Sequence, residues 1–394
     1  MFAIKNNFPI FKAHPDLIFT DNASTTQKPA AVIEAISQYY REMNANVHRA
    51  VYDLGNQSDQ IYRDTRQEIC EFYQKETCIF THGTTDGFNK LAMSLENQID
   101  SRSNIIVTEM EHHSNLVPWQ ELCQRTGAEL RLVGMTDEGT LDYEQMEKLM
   151  DDSTRIVSMV HISNTLGTIN DLKRVRKIIG NRNAWFLVDA AQSCAIHIDL
   201  IQNSDADAYI FGGHKMFGPT GVGILLAKKK LLNELPPFHF GGGMVTEVET
   251  LKSEYKEDVT RFEAGTPPIA QIAGLKEAVR FISEVDLGQC RQNVSRLAKT
   301  LRARLEAEGF DCLGKGQDTA GIVSVTFGDI HPHDAASFLN TKNIAVRAGH
   351  HCTQLIMKKY GIQACVRFSF SIYNRDQEVD SIMHAIKEMK SFFS

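Results

Sequence analysis

Between residues 78 and 227, apolar runs of strand length recur, each handing over to a glycine or polar turn and then to a helical pattern. Ala184-Trp185-Phe186-Leu187-Val188 stops on Asp189, and Asp207-Ala208-Tyr209-Ile210-Phe211 stops at Gly212-Gly213-His214-Lys215. Cys78 to Thr81, Asn104 to Thr108, Glu129 to Val133, Arg155 to Val160 and Val222 to Ala227 read the same way. Helices are expected at 30–43, 56–73, after Thr84–Thr85 through Leu95, and at 117–125, 143–150 and 172–179. Strands alternating with helices imply β-α units, hence an α/β fold with a largely parallel sheet covered on both faces. The pattern also says where chemistry can sit, because ligands of open parallel sheets bind outside the carboxyl ends of strands. His113, Asn164, Asp189 and Lys215 all follow expected strands.

A carboxylate and a lysine converging from two strand ends suit pyridoxal 5'-phosphate, which needs a lysine for its covalent imine and an acid beside its pyridinium nitrogen. Burial lowers a lysine's pKa and frees its amine for attack on an aldehyde. The same pair is compatible with an ordinary buried ion pair. Gly83-Thr84-Thr85 opens a helix, where free amides and the dipole favour phosphate; it reads equally as a threonine cap. It is not a P-loop, since no G-K-[ST] follows.

His113 can stack on an aromatic ring or serve as a structural, hydrogen-bonded histidine. Arg367 lies in an apolar strand pattern and needs an anion, either a substrate carboxylate or a structural partner. Cys352, in a loop with Gly349, His350 and His351 and with Arg347 upstream, is the cysteine placed to be a nucleophile. The other cysteines, at 70, 78, 123, 194, 290, 312 and 365, sit among apolar neighbours and read as core. His350-His351-Cys352 is not expected to bind a metal, because adjacent side chains diverge, and no C-x-x-C or H-E-x-x-H occurs.

The 394 residues carry 42 basic and 49 acidic side chains, a balance that suggests neither a nucleic-acid surface nor a polybasic membrane patch. No secretory signal or transmembrane-length apolar run is seen, and scattered cysteines fit a reducing, cytoplasmic setting. Residues 1–20 read as an N-terminal arm, 21–268 as a large cofactor domain with a hairpin-like excursion from 238. Residues 269–394 read as a bridging helical stretch and a small α+β domain.

Taken together, D-N-A-S-T-T-Q-K-P (21–29), N-V-H-R, T-H-G-T-T, E-H-H-S-N-L-V-P-W, H-I-S-N-T-L-G, V-D-A-A-Q, G-H-K-M-F-G-P-T-G, G-G-G-M, R-F-E-A-G-T-P, R-A-G-H-H-C and V-R-F-S-F-S-I-Y-N (366–374) resemble the class V, aspartate aminotransferase-like enzymes of PLP fold type I. Within that class the chain is similar to the group II, Suf-type cysteine desulfurases. The resemblance implies that Lys215 carries the cofactor, Asp189 keeps its ring nitrogen protonated, His113 stacks on the ring and Gln192 bonds its phenolic oxygen. Thr84, Thr85 and His214 would hold the phosphate, with Thr266 reaching in from a second subunit of a homodimer. Asn164 and Arg367 would hold the substrate carboxylate, and His48, Arg49 and Arg347 would line the entrance. Cys352 would accept sulfur from L-cysteine as a persulfide and pass it to an acceptor protein of the Suf system for iron–sulfur assembly. Selenocysteine lyase, another class V aminotransferase or lyase, and a non-catalytic sulfur scaffold are the competing expectations. One position departs from the family: Gly212 stands where a phosphate-binding serine is usual.

Overall fold

The computed structural model describes residues 2–48, 51–314 and 319–393. A seven-stranded sheet forms the centre, in the spatial order Thr77–Thr81, Gly223–Ala227, Ala208–Gly212, Trp185–Asp189, Thr154–Val160, Asn104–Thr108 and Glu129–Val133. Only Gly223–Ala227 runs against its neighbours; the remaining pairs are parallel. Strand side chains alternate between two cores. Ile79, Ile105, Val107, Ile156, Leu187, Ile210 and Leu225 pack on one face. Phe80, Ile106, Val157, Val188, Tyr209, Ile224 and Leu226 pack on the other. Burial on both faces is why these strands read as continuous apolar runs.

Helices Thr84–Leu95, His113–Thr126, Tyr143–Leu149 and Leu172–Ile179 link the strands. The second begins at His113, a full turn before the expected Val117. The His112 side chain caps it by accepting from the Ser114 N–H (3.1 Å), and Pro118 is accommodated inside. The excursion after 238 contains an antiparallel hairpin, Val245–Val248 with Ser253–Tyr255.

Helices Ile269–Ser283 and Leu287–Ala307 lead to a four-stranded antiparallel sheet ordered Asp311–Cys312, Ile322–Thr326, Cys365–Ser369, Arg347–Gly349. Helices Pro332–Asn340 and Asp376–Phe393 pack on it, and a short helix, Gln354–Lys359, occupies what reads in sequence as loop. The N-terminal residues lie on this C-terminal part. Ile18–Phe19 pairs with Ile344–Ala345, and the buried Phe8 ring meets Tyr373 at 4.8 Å between centroids. Among the described residues no helix is long and apolar enough to cross a membrane.

Candidate active site

A cavity of about 720 Å³ lies where the carboxyl ends of the large-sheet strands meet the small sheet. The large sheet contributes Thr84, Thr85, His112, Ser114, Asn164, Asp189, Gln192, His214 and Lys215; the C-terminal part contributes Arg347, His351, Cys352 and Arg367. The size suits a cofactor with a small substrate.

Asp189 ends the strand Trp185–Asp189 and is 3% exposed. Its Oδ1 accepts from the Ala191 N–H (2.9 Å). Burial raises its pKa, opposed by that hydrogen bond and by the charge of Lys215. Lys215 sits in the turn Gly213–Lys215. Burial lowers its pKa, opposed by Asp189 and reinforced by Arg367. Each group thus biases the other toward its charged form, while burial favours a reactive neutral amine. Lys28 braces this turn. Its Nζ donates to the carbonyls of His214 (2.8 Å) and Thr26 (2.5 Å), and burial pulls its pKa down to about 8.

At the other end of the cavity, helix Thr84–Leu95 starts without a side-chain cap. Gly83 precedes it at φ 149° and ψ −178°, a region open essentially to glycine alone. Gly223 lets the strands close: a Cβ there would lie 2.5 Å from the Gly83 Cα. Free amides and the dipole thus face the cavity, with Thr84 and Thr85 beside them and the Thr85 hydroxyl 2.6 Å from that of Ser114. At Gly212 a Cβ would meet the His214 ring at 2.9 Å, so the imidazole occupies the space next to the missing hydroxyl. Burial, then the charges of Lys215 and Lys28, push His214 down to about 4.

Of the neighbouring pair His112 and His113, it is His112 that lines the cavity. As cap residue, His112 turns its ring over the helix start, with Nδ1 facing the Ser114 N–H and hydroxyl (3.1 and 3.0 Å). Accepting from that N–H leaves the proton on Nε2. Burial first, then Lys215, lower its pKa to about 3, so the ring is neutral. His113, one residue into the helix, points toward His350 instead, at 5.7 Å between ring centroids. Behind His112, the buried Glu111 carboxyl accepts from Thr108 (2.6 Å), the Val160 N–H (2.9 Å) and Asn115 (2.6 Å), tying the helix start to two strands.

Cys352 reaches the cavity from a turn in which His351 and Cys352 both have left-handed backbones, φ 54° and 58°. Such angles cost non-glycine residues about 1–2 kcal/mol each. Bonds across the seam hold the turn: Asn164 Nδ2 donates to the His351 carbonyl (2.9 Å) and the His113 N–H to that of Cys352 (2.9 Å). Within it, the Cys352 N–H donates to His350 Nδ1 (3.0 Å).

Arg367 is 2% exposed. Its Nη1 donates to the Asn164 carbonyl (2.9 Å), its Nη2 to Ser24 (2.7 Å) and Asp21 (3.1 Å). Its Nε and the Asn164 Oδ1 are buried without a partner. Arg347 also pairs with Asp21, at 2.9 Å. Gln192 donates to the Ala23 carbonyl (2.8 Å). His48 does not line this cavity. Its N–H is taken by Asp59 (2.8 Å) and its ring packs edge-on against Tyr62. Thr266 also lies outside, 3.4 Å from the Asn46 amide. Arg49 falls outside the described residues. Among the described residues no group of three metal-ligating side chains forms.

An uncapped helix start, a buried carboxylate opposite a buried amine, and unpartnered polar atoms on Asn164 and Arg367 together fit a phosphate-bearing pyridine aldehyde with an amino acid beside it. The signature of the Aminotransferase class-V family matches residues 18–382. A probable cysteine desulfurase from Halalkalibacterium halodurans is 40% identical over 99% of the chain and 98% of its own length. A cysteine desulfurase from Haloferax volcanii is 37% identical over 100% and 97%. Among solved structures, the apo cysteine desulfurase from Thermococcus onnurineus superposes with a TM-score of 0.93 at 33% identity, covering 98% of this chain and 97% of that one.

Proposed function

The chain belongs to the aminotransferase class-V family, and from that membership we propose that it is a PLP-dependent cysteine desulfurase, converting L-cysteine to L-alanine and capturing the sulfur on Cys352. The observation that carries this reading is the convergence of Lys215, from the large sheet, and Cys352, from the small one, on a single cavity.

Pyridoxal 5'-phosphate, when bound, supplies the electron sink for bond breaking at the substrate's α- and β-carbons. Lys215 would hold it, with Asp189 at the ring nitrogen and Gln192 near the phenolic oxygen. The helix start at Thr84–Thr85 and His214 would hold the phosphate. Arg367 binds the substrate carboxylate, with Asn164 beside it. Freed when the substrate's amine takes its place, Lys215 Nζ would take the proton from Cα, since burial favours its neutral form. His112, neutral with its proton on Nε2, covers the ring. The Cys352 thiolate forms an S–S bond to the substrate sulfur as the Cβ–S bond breaks, and the carbon keeps the electron pair and is protonated. Cysteine and a thiol thereby become alanine and a persulfide, with atoms and electrons balanced, and the sulfur leaves by thiol exchange.

The sulfur goes to an acceptor protein of the Suf type feeding iron–sulfur assembly, and the chain works as a cytoplasmic homodimer. Thr266 and His48, which lie outside their own cavity, serve the cavity of the second copy. Arg49 goes with them. Mass spectrometry after exposure to L-cysteine tests the reading: one added sulfur is expected on the Cys352 peptide. Sulfide and alanine formation at an undiminished rate by Cys352→Ser would overturn it.

A further inference from the structure

Asp21 takes no part in the steps above, yet its carboxylate joins both arginines of the cavity. Oδ1 accepts from Arg367 Nη2 (3.1 Å), Arg347 Nε (3.1 Å) and the Ser24 hydroxyl (2.6 Å). Oδ2 accepts from Arg347 Nη2 (2.9 Å) and Nε (3.2 Å). Asp21 is fixed from behind, where its backbone forms a bridge with Ser369, next but one to Arg367 along the strand. Burial raises its pKa, but the bonds from Arg347 and Ser24 and the charges of both arginines outweigh this and keep it ionised.

Two guanidinium groups within reach of one carboxylate are what a dicarboxylic acid needs, one fork for each end. Here the chain's own carboxylate takes up Arg347 on two nitrogens and touches Arg367 on only one, leaving Arg367 Nε without a partner. The three side chains together carry one positive charge. A single substrate carboxylate brings that to zero. A second would face Asp21 itself, and could reach Arg347 only by displacing it.

We infer that Asp21 is a specificity-determining residue that confines the cavity to amino acids with one carboxylate, by occupying the arginine that would otherwise receive a second. This rests on the reading of Arg367 as the carboxylate site.

The test is the binding of L-alanine and L-aspartate to the holoenzyme, followed through the cofactor absorbance. Asp21→Asn should strengthen aspartate binding by about tenfold or more while alanine binding moves by less than about threefold, a shift in preference carried by charge alone. Adding Arg347→Met to Asp21→Asn should abolish the gain. An unchanged alanine-to-aspartate ratio in Asp21→Asn overturns the inference. Should Asp21→Asn not fold, Arg347→Met alone decides. It turns the whole Asp21 charge onto Arg367, so alanine binding should weaken by about tenfold, and unchanged binding overturns the inference. Arg367→Lys separates the two levels. If alanine binding survives it intact, the carboxylate site is misplaced; if it is lost while Asp21→Asn leaves the ratio alone, only the role of Asp21 fails.

Discussion

Replacing Thr353 by valine should loosen the turn that presents Cys352 without touching the cavity. Thr353 and Thr165 are fully buried, with hydroxyl oxygens 2.7 Å apart. Thr353 donates to the His350 carbonyl (3.0 Å), so the bond between the two threonines takes its proton from Thr165. In Thr353→Val the Thr165 hydroxyl is stranded in the interior, while the His350 carbonyl keeps the Thr353 N–H at 2.9 Å. A stranded buried donor and one lost neutral bond together cost about 2–3 kcal/mol. The turn carries an opposing strain of about 2–4 kcal/mol from two left-handed residues, so the loss falls where little reserve exists. Amide exchange followed by mass spectrometry reads it. Peptides containing the His113 and Cys352 amides should exchange roughly 30- to 150-fold faster, and those from Trp185–Asp189 and Ala208–Gly212 should not change. Thr165→Val with Thr353→Val should recover about 1 kcal/mol of the summed single effects, because removing both partners leaves no orphan. Unchanged protection at Cys352, or equal loosening of the central strands, refutes the reasoning.

Borohydride should fix a cofactor adduct on the wild-type chain and none on Lys215→Ala; an adduct on the variant places the attachment elsewhere. Gly212→Ser gains a hydroxyl but pushes aside a His214 ring only 2.9 Å from the new Cβ. The two changes offset, so cofactor affinity should move by less than about 1 kcal/mol, and a larger shift in equilibrium dialysis contradicts this account of the position. His161, buried against the Ser193 hydroxyl (3.0 Å), is pushed by burial from 6.5 to about 3. Its folded value lies below its unfolded one, so the unfolded chain takes the proton first as pH falls. The stability of the neutral ring is complete above about pH 6.5 and is lost toward about pH 3, at up to ~1.4 kcal/mol per pH unit. His161→Leu should flatten the pH dependence of unfolding by that slope; an unaltered slope means that the ring titrates normally.

The strands and their cavity-facing ends were legible because burial on both faces writes continuous apolar runs, and a polar residue that ends such a run has few places to go but the crevice. Asp189 and Lys215 declared themselves in this way. Sequence could not tell which of two adjacent histidines lines the cavity, and the expected helix start at Val117 left both in a loop. With the start at His113, the preceding residue becomes the cap and turns its ring inward, while its neighbour turns out. Gly212 announced a missing hydroxyl, but only the fold brings the His214 ring beside the gap. Lys28 and Asp21 stood inside the 21–29 motif but showed no role there, since beside their local bonds the contacts that tie them to the cavity reach 186 and 346 residues along the chain. The left-handed pair at His351–Cys352 was equally hidden, because neither residue type demands it.

What the sequence least reveals is how lightly the thiol is held. Arg367 to the Asn164 carbonyl, Asn164 to the His351 carbonyl, the His113 N–H to the Cys352 carbonyl, Thr165 to Thr353 and Ser324 to the Thr165 carbonyl all cross the seam between the two sheets. None belongs to the ladder of either sheet, so the seam can open without unravelling them. At about 1 kcal/mol net for each bond, and somewhat more for the charged Arg367, the set is of the same order as the strain of about 2–4 kcal/mol in the turn it restrains. The position of Cys352 therefore depends on a small difference between comparable terms, whereas Lys215 and Asp189 rest on a sheet buried on both faces. Loss of one seam bond should displace the Cys352 side of the cavity long before it disturbs the side that holds the lysine.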